Sequence, residues 1–169
     1  TLLWLLGFVI PVHAKIYSRR KPWGLKRQDL LQCKPGTLGR EMGLFLEAGD
    51  LQPVPRVERH DAYHVLLDYT LEVKQEAAMQ FFLVGNGKHS PFTVGTAIFA
   101  GLMLPEEWNY FKQEFIRGKQ ARSMARWNFR YLLDDDYTDL RNIIFRKAVS
   151  NDALLEKIAA MENGVLKAA

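Results

Sequence analysis

His60-Asp61-Ala62-Tyr63-His64, with Glu76 twelve positions beyond His64, gathers four metal-ligating side chains into one short stretch of the chain. If residues 57–67 are helical, His60 and His64 stand one turn apart on one face, and Asp61 lies about 60° around from His64. Two neutral imidazoles and two carboxylates carry a charge of −2, which cancels a divalent cation and lowers the cost of burying it. Zinc is the first choice for His60, Asp61, His64 and Glu76. Two histidines plus a carboxylate also suit iron(II) or manganese, in the facial arrangement used for oxygen chemistry. The plain alternative is a helix face with two structural histidines and solvated carboxylates.

Glu76 decides what the surrounding elements must do. Continuous helix would carry it about 18 Å along the axis from His64, far beyond a ligand bond of about 2 Å. The chain must therefore turn back, and Asp68-Tyr69-Thr70 supplies the break, with Thr70 as N-cap of a helix over 71–83 and Glu76 in its second turn. Upstream, Pro35-Gly36 marks a turn, and Thr37 caps a helix over 38–48 with Leu38, Met42, Phe45 and Leu46 on one face. Gly49-Asp50 ends that helix, and Pro53 and Pro55 make an extended lead into the ligand helix. Downstream, Gly85-Asn86-Gly87 stops the Glu76 helix.

Residues 92–104 are apolar, contain Gly95 and Gly101, and end at Pro105. A bilayer needs roughly twenty such residues, so this stretch is expected to be a central core helix, its glycines marking close packing or a cavity wall. Residues 106–126 read as an amphipathic helix with Trp108, Phe111, Phe115 and Ile116 inward and Lys112, Arg117, Lys119 and Arg122 outward. The aromatic residues could equally line a long apolar tunnel. Leu140, Ile143 and Ile144, then Leu154, Leu155 and Ile158, give one or two terminal helices. No stretch alternates as a strand would, so the expected fold class is all-α: a single compact helical domain with an apolar cavity, residues 35–169, preceded by an apolar and basic segment, residues 1–34.

At 169 residues and 48% hydrophobic, the chain can build one sizeable core. Cys33 is the single cysteine, which excludes an intramolecular disulfide and a thiolate-rich zinc site. The net charge of +4 is modest, and its cations concentrate in two places. One is Lys15, Arg19, Arg20, Lys21, Lys26 and Arg27, directly after the apolar residues 2–14. That pairing reads either as a buried N-terminal helix with a solvated basic exit or as contact with an anionic membrane surface. No nucleic-acid partner is expected.

Other candidates are weaker. The HD dipeptide resembles that of metal phosphohydrolases, which need a further upstream histidine, and none lies between His13 and His60. Asp135-Asp136-Tyr137-Thr138-Asp139 fits the aspartate-rich motif of isoprenyl synthases but stands without a second acidic motif, and reads as a solvated turn capping a helix. His89 could reach toward a site under the helix ends or be solvated. Arg40 and Glu41 could pair to lock two helices, or contact an anionic head group.

Taken together, Gly36-Thr37-Leu38-Gly39-Arg40-Glu41, then His60-Asp61-Ala62-Tyr63-His64-Val65-Leu66 and Glu76, resemble the ubiquinone (coenzyme Q) biosynthesis protein four family over roughly residues 35–144. The resemblance implies an all-α fold and a divalent metal, recorded as zinc, held by His60, Asp61, His64 and Glu76 under an apolar cavity for a polyprenyl chain. It implies a metal-dependent carboxy-lyase that removes the C1 carboxylate of a polyprenylated 4-hydroxybenzoate-type intermediate, with those four residues as its catalytic centre. The alternative is a non-catalytic prenyl-lipid-binding scaffold organising a quinone biosynthesis complex. Implied partners are a polyprenylated aromatic substrate or lipid, a membrane surface and other quinone biosynthesis enzymes, and a homo-oligomer is compatible with these. The implied location is peripheral, on the cytoplasmic face in a bacterium or the matrix side of the mitochondrial inner membrane.

Overall fold

The computed structural model describes residues 21–166, so the apolar residues 2–14 and Lys15, Arg19 and Arg20 lie outside the described part. Among the described residues there are eight α-helices and no strand, and the all-α expectation holds. The helices are α1 (Arg27–Leu31), α2 (Leu38–Ala48), α3 (Glu58–Leu67), α4 (Val73–Gly85), α5 (Pro91–Met103), α6 (Trp108–Gln120), α7 (Tyr137–Ile144) and α8 (Asp152–Glu162). They fall into two compact units: the chain up to Leu66 with Asn128–Tyr137, and Leu67–Trp127 with the residues from Thr138 onward.

In the first unit α2 begins and ends where the sequence predicts, because its cap is local. The Thr37 hydroxyl accepts the Arg40 amide at 3.4 Å, and Gly49 closes the C-terminus. Its other early N–H donors are satisfied from far along the chain. The Leu38 amide donates to the Asp135 carbonyl at 3.0 Å and the Gly39 amide to the Leu133 carbonyl at 2.8 Å, so the segment Asn128–Tyr137 is tied to the head of α2. The same segment brings buried Phe129 edge-on to Tyr63, ring centroids 5.3 Å apart. At Gly43 a Cβ would stand 2.8 Å from the Leu31 amide nitrogen, so α1 packs against glycine backbone there.

The second unit is organised by a helix crossing. A Cβ on Gly85 would overlap the Phe115 carbonyl oxygen, and one on Gly118 would overlap that of Phe82, so α4 and α6 meet backbone to backbone. Asn86 staples the crossing: its Nδ2 donates to the Gly118 and Arg122 carbonyls at 3.1 and 3.0 Å, and its Oδ1 accepts the Met124 amide at 2.9 Å. This crossing fixes which face of α6 is inward. Phe111, Glu114 and Gly118 are buried, whereas Trp108 and Ile116, expected inward, are 50% and 43% exposed. Buried Glu114 accepts from the Tyr69 hydroxyl and from Arg117 at 2.9 Å. Burial and that hydrogen bond hold the Tyr69 phenol far above its ordinary range.

The apolar helix expected over 92–104 is present as α5, with the Ser90 hydroxyl accepting the Thr93 amide at 3.2 Å. It is not a central core helix. Its buried line is small, Thr93, Ala97 and Gly101, while Ile98, Phe99, Leu102 and Met103 are 60%, 49%, 73% and 62% exposed. Hydropathy along the chain identified an apolar helix but could not say that the small residues, which permit close approach to α4, would claim the inward side. Gly101 does pack closely, against the Trp108 ring, whereas a Cβ on Gly95 would meet nothing. No helix of the described residues is long and apolar enough to cross a membrane.

Candidate metal centre

The approach to α3 is a tight turn rather than a simple extended lead. Arg56 takes a positive φ of 73°, the Val57 amide donates to the Val54 carbonyl at 2.9 Å, and the His60 amide donates to the Val57 carbonyl at 2.7 Å. Glu58 is buried at the first turn, its carboxylate accepting the Trp23 amide at 2.9 Å. The helix turns Ala62, Tyr63 and Leu66 into the core, and Arg59 Nε donates to the Tyr63 hydroxyl at 2.7 Å. It stops at Leu67, where Asp68 adopts φ 63°, a left-handed conformation that short polar side chains tolerate. The break expected at residues 68–70 is therefore present.

One turn of α3 brings the two histidines together. His64 is 2% exposed and its ring stacks on Phe45 of α2, centroids 5.2 Å apart and planes 19° apart. His60, half-buried, meets His64 edge-on at 4.7 Å and 80°, with the two Nε2 atoms 3.1 Å apart. Two such nitrogens can share one proton in an N–H···N bond, or both point lone pairs at one cation. The spacing fits either use, since 3.1 Å is also the length of an ordinary N–H···N bond. Two imidazoles bound at about 2.05 Å with a tetrahedral angle between them stand about 3.3 Å apart, and a narrower angle closes that gap further. The Phe45 ring fixes the plane of His64, the kind of orientation a metal ligand requires from its surroundings.

The carboxylates are placed as follows. Asp61 follows His60 on α3 and is half-buried. Glu76, also half-buried, sits in the first turn of α4, in the second unit. The sequence predicts Thr70 as cap of a helix from residue 71, with Glu76 in the second turn. Instead the Thr70 hydroxyl accepts the Glu72 amide at 3.4 Å, a local side-chain turn that delays the helix until Val73. Only five residues, 68–72, separate the two helices.

The remaining candidates are accounted for by structure. His89 is exposed, with Nε2 3.3 Å from the Val84 carbonyl near the end of α4. Arg40 donates to the Leu31 carbonyl, tying α2 to the end of α1. In the aspartate-rich run, Asp136 bridges to Thr37, and Asp139 accepts from Asn151 at 3.0 Å. Sequence reasoning did not assign Phe45 to the histidine pair, reading it as core; its place on the apolar face of α2 was the one signal available. Glu58 was missed altogether.

An apolar groove of 380 Å³ lies in the second unit, between α4, α5 and α6, walled by Phe81, Val84, Val94, Trp108 and Phe115 with Lys112 at its rim.

No protein-family model matches the chain, and no curated protein does. A crystal structure from Nostoc punctiforme PCC 73102, of a protein assigned provisionally to ubiquinone biosynthesis, superposes with a TM-score of 0.58. The fold is shared. The match covers 84% of this chain and 81% of the Nostoc chain, at 20% sequence identity.

Proposed function

We propose that this chain is a metal-dependent lyase of quinone biosynthesis, removing the C1 carboxylate from a polyprenylated 4-hydroxybenzoate-type ring. The observation that carries this reading is the pairing of half-buried His60 with buried His64, their Nε2 atoms 3.1 Å apart on consecutive turns of one helix. The shared fold with the Nostoc protein supports it, since that protein is assigned to the same pathway. In this proposal His60, His64 and Glu76 hold a divalent ion, most simply zinc, with Asp61 as a fourth ligand or as the partner that orients a histidine. A bound ion supplies Lewis acidity toward the phenolic or carboxylate oxygens of the ring.

The chain's own groups do the rest. Phe45 keeps His64 in the plane in which its ring nitrogen is offered. The role of Asp61 separates a catalytic site from a structural clamp: as ligand it completes a closed set of four, whereas beside a histidine it leaves a coordination position for substrate. Apolar walls such as those of the α4, α5 and α6 groove would take the prenyl chain and exclude water. Working on a prenylated lipid puts the protein at a membrane surface, among the enzymes that make and use that lipid.

The test is metal content of the purified protein beside its His64→Ala and Glu76→Ala variants, coupled to release of carbon dioxide from a prenylated hydroxybenzoate. One equivalent of metal in the parent, loss in both variants and loss of turnover are expected. Full turnover by metal-free variants rules out the lyase, and metal bound without turnover moves the reading to a lipid-binding scaffold.

A further inference from the structure

The amphipathy of α5 is reversed for a helix in water. Its inner line is Thr93, Ala97 and Gly101, and its outer line runs Gly95, Ile98, Phe99, Leu102 and Met103, spaced as one continuous stripe. Isolated exposed apolar residues are ordinary, but a contiguous stripe with four large ones marks a surface that meets something. We propose that this stripe is a membrane-docking face, inserting shallowly into a bilayer that contains anionic lipid.

Two observations select a bilayer over a protein partner. First, the thirteen residues of α5 include no ionisable side chain, and the stripe offers no polar group around which the hydrogen-bonded rim of a specific protein interface could form. A fluid acyl layer requires neither shape nor hydrogen-bond complementarity. Second, cations stand at the groove that the stripe shares through Ile98. Lys112, which lines the groove, and Lys119 are exposed on α6 together with Ile116, and the Lys119 ammonium lies 5.8 Å from the centroid of the Phe115 ring, another groove wall. On the acidic side, Glu107 is engaged by Lys74 at 2.8 Å, which leaves exposed Glu106 at the edge. Trp108, half-exposed against Gly101, sits where an indole commonly marks the level of lipid head groups. Ile98 belongs both to the stripe and to the wall of the apolar groove, so a lipid passing from bilayer to groove need not cross water.

The proposal deepens the lipid-substrate reading above and rests on it for its purpose, but its test is independent of metal and turnover. In a Cys33→Ser background of the full chain, an environment-sensitive fluorophore is attached at Leu102→Cys, with Glu47→Cys as a control in the other unit. Phosphatidylcholine vesicles with and without phosphatidylglycerol are then added. A blue shift and quenching by nitroxide-labelled lipid are expected at position 102 and not at position 47. The double variant Phe99→Ser with Leu102→Ser should bind vesicles at least about tenfold more weakly. Each of Lys112→Ala and Lys119→Ala should cost about fivefold on anionic vesicles. Because Phe99 and Leu102 are exposed, the double variant should keep its helix content and its metal. Three results overturn the proposal: no shift at 102 with vesicles; a shift that grows with protein concentration alone, which makes a second copy the occupant; or a fluorophore already buried without vesicles at all concentrations, which makes another segment of the chain the occupant.

Discussion

Helices α3 and α5 break the same rule in opposite directions. On α3, Glu58 and His64 are buried at 4% and 2% exposure, so a helix that should turn polar groups to water turns them inward. On α5, Ile98, Phe99, Leu102 and Met103 stand outside over an inner line of small residues. Glu58 and His64 have partners, the Trp23 amide and the His60 ring, yet taking polar groups out of water still costs free energy, and exposing large apolar side chains forgoes about 1.5–3 kcal/mol each. Departures of this kind from the pattern that stability favours collect at functional surfaces. On the proposals above, one departure gathers candidate ligands and the other offers a surface.

Mutations can break or sharpen that contrast. The largest effect belongs to the rule-abiding frame: Gly118→Ala forces apart two helices whose backbones touch and should cost about 3 kcal/mol in urea unfolding. A silent substitution would mean the crossing is looser than described. His64→Ala removes a buried ring stacked on Phe45 and should cost the metal-free protein about 2 kcal/mol, whereas Leu102→Ala on α5 should stay within about 0.5 kcal/mol. Equal costs would erase the contrast between the two helices.

Glu162 gives a reference for a polar group placed conventionally. Partial burial pushes its carboxyl upward, but the hydrogen bonds from Arg122 and Trp127 outweigh this and hold it below its ordinary value of 4.5. Arg122 meets it through Nε and Nη2 at 2.9 and 2.8 Å. A depressed carboxyl contributes stability above its unfolded value and loses it as pH falls through the folded one. Glu162→Gln should therefore cost about 1 kcal/mol at pH 7, with the gap closing as pH falls below 4.5. A gap that persists into strong acid would contradict the ion pair. The smallest effect is a gain: on the outer stripe of α5, Gly95→Ala meets no neighbour and should add about 0.5 kcal/mol.

What the chain disclosed in advance follows from how local each determinant is. The ends of α2 were legible because Thr37 caps it through its own side chain and Gly49 closes it. The His60 and His64 pairing was legible because i and i+4 meet on any helix. The start of α4 was not, since Thr70 bonds the Glu72 amide in a turn that competes with a cap. Least legible were the inward faces of α5 and α6. The face of α6 depends on the close approach at Gly85 and Gly118, residues 33 positions apart, which no periodicity within either helix encodes, and that of α5 on small residues taking the inward side. The stacking of Phe45 on His64 is non-local in the same way.

The central claim, that the polar interior of α3 exists to hold a metal, is tested most directly by elemental analysis of purified protein, parent against His64→Ala. One equivalent of a divalent metal in the parent, and less than about a tenth of that in the variant, is the predicted result. Equal metal in both, or a metal-free parent that takes up no zinc, iron(II) or manganese on reconstitution, would contradict it.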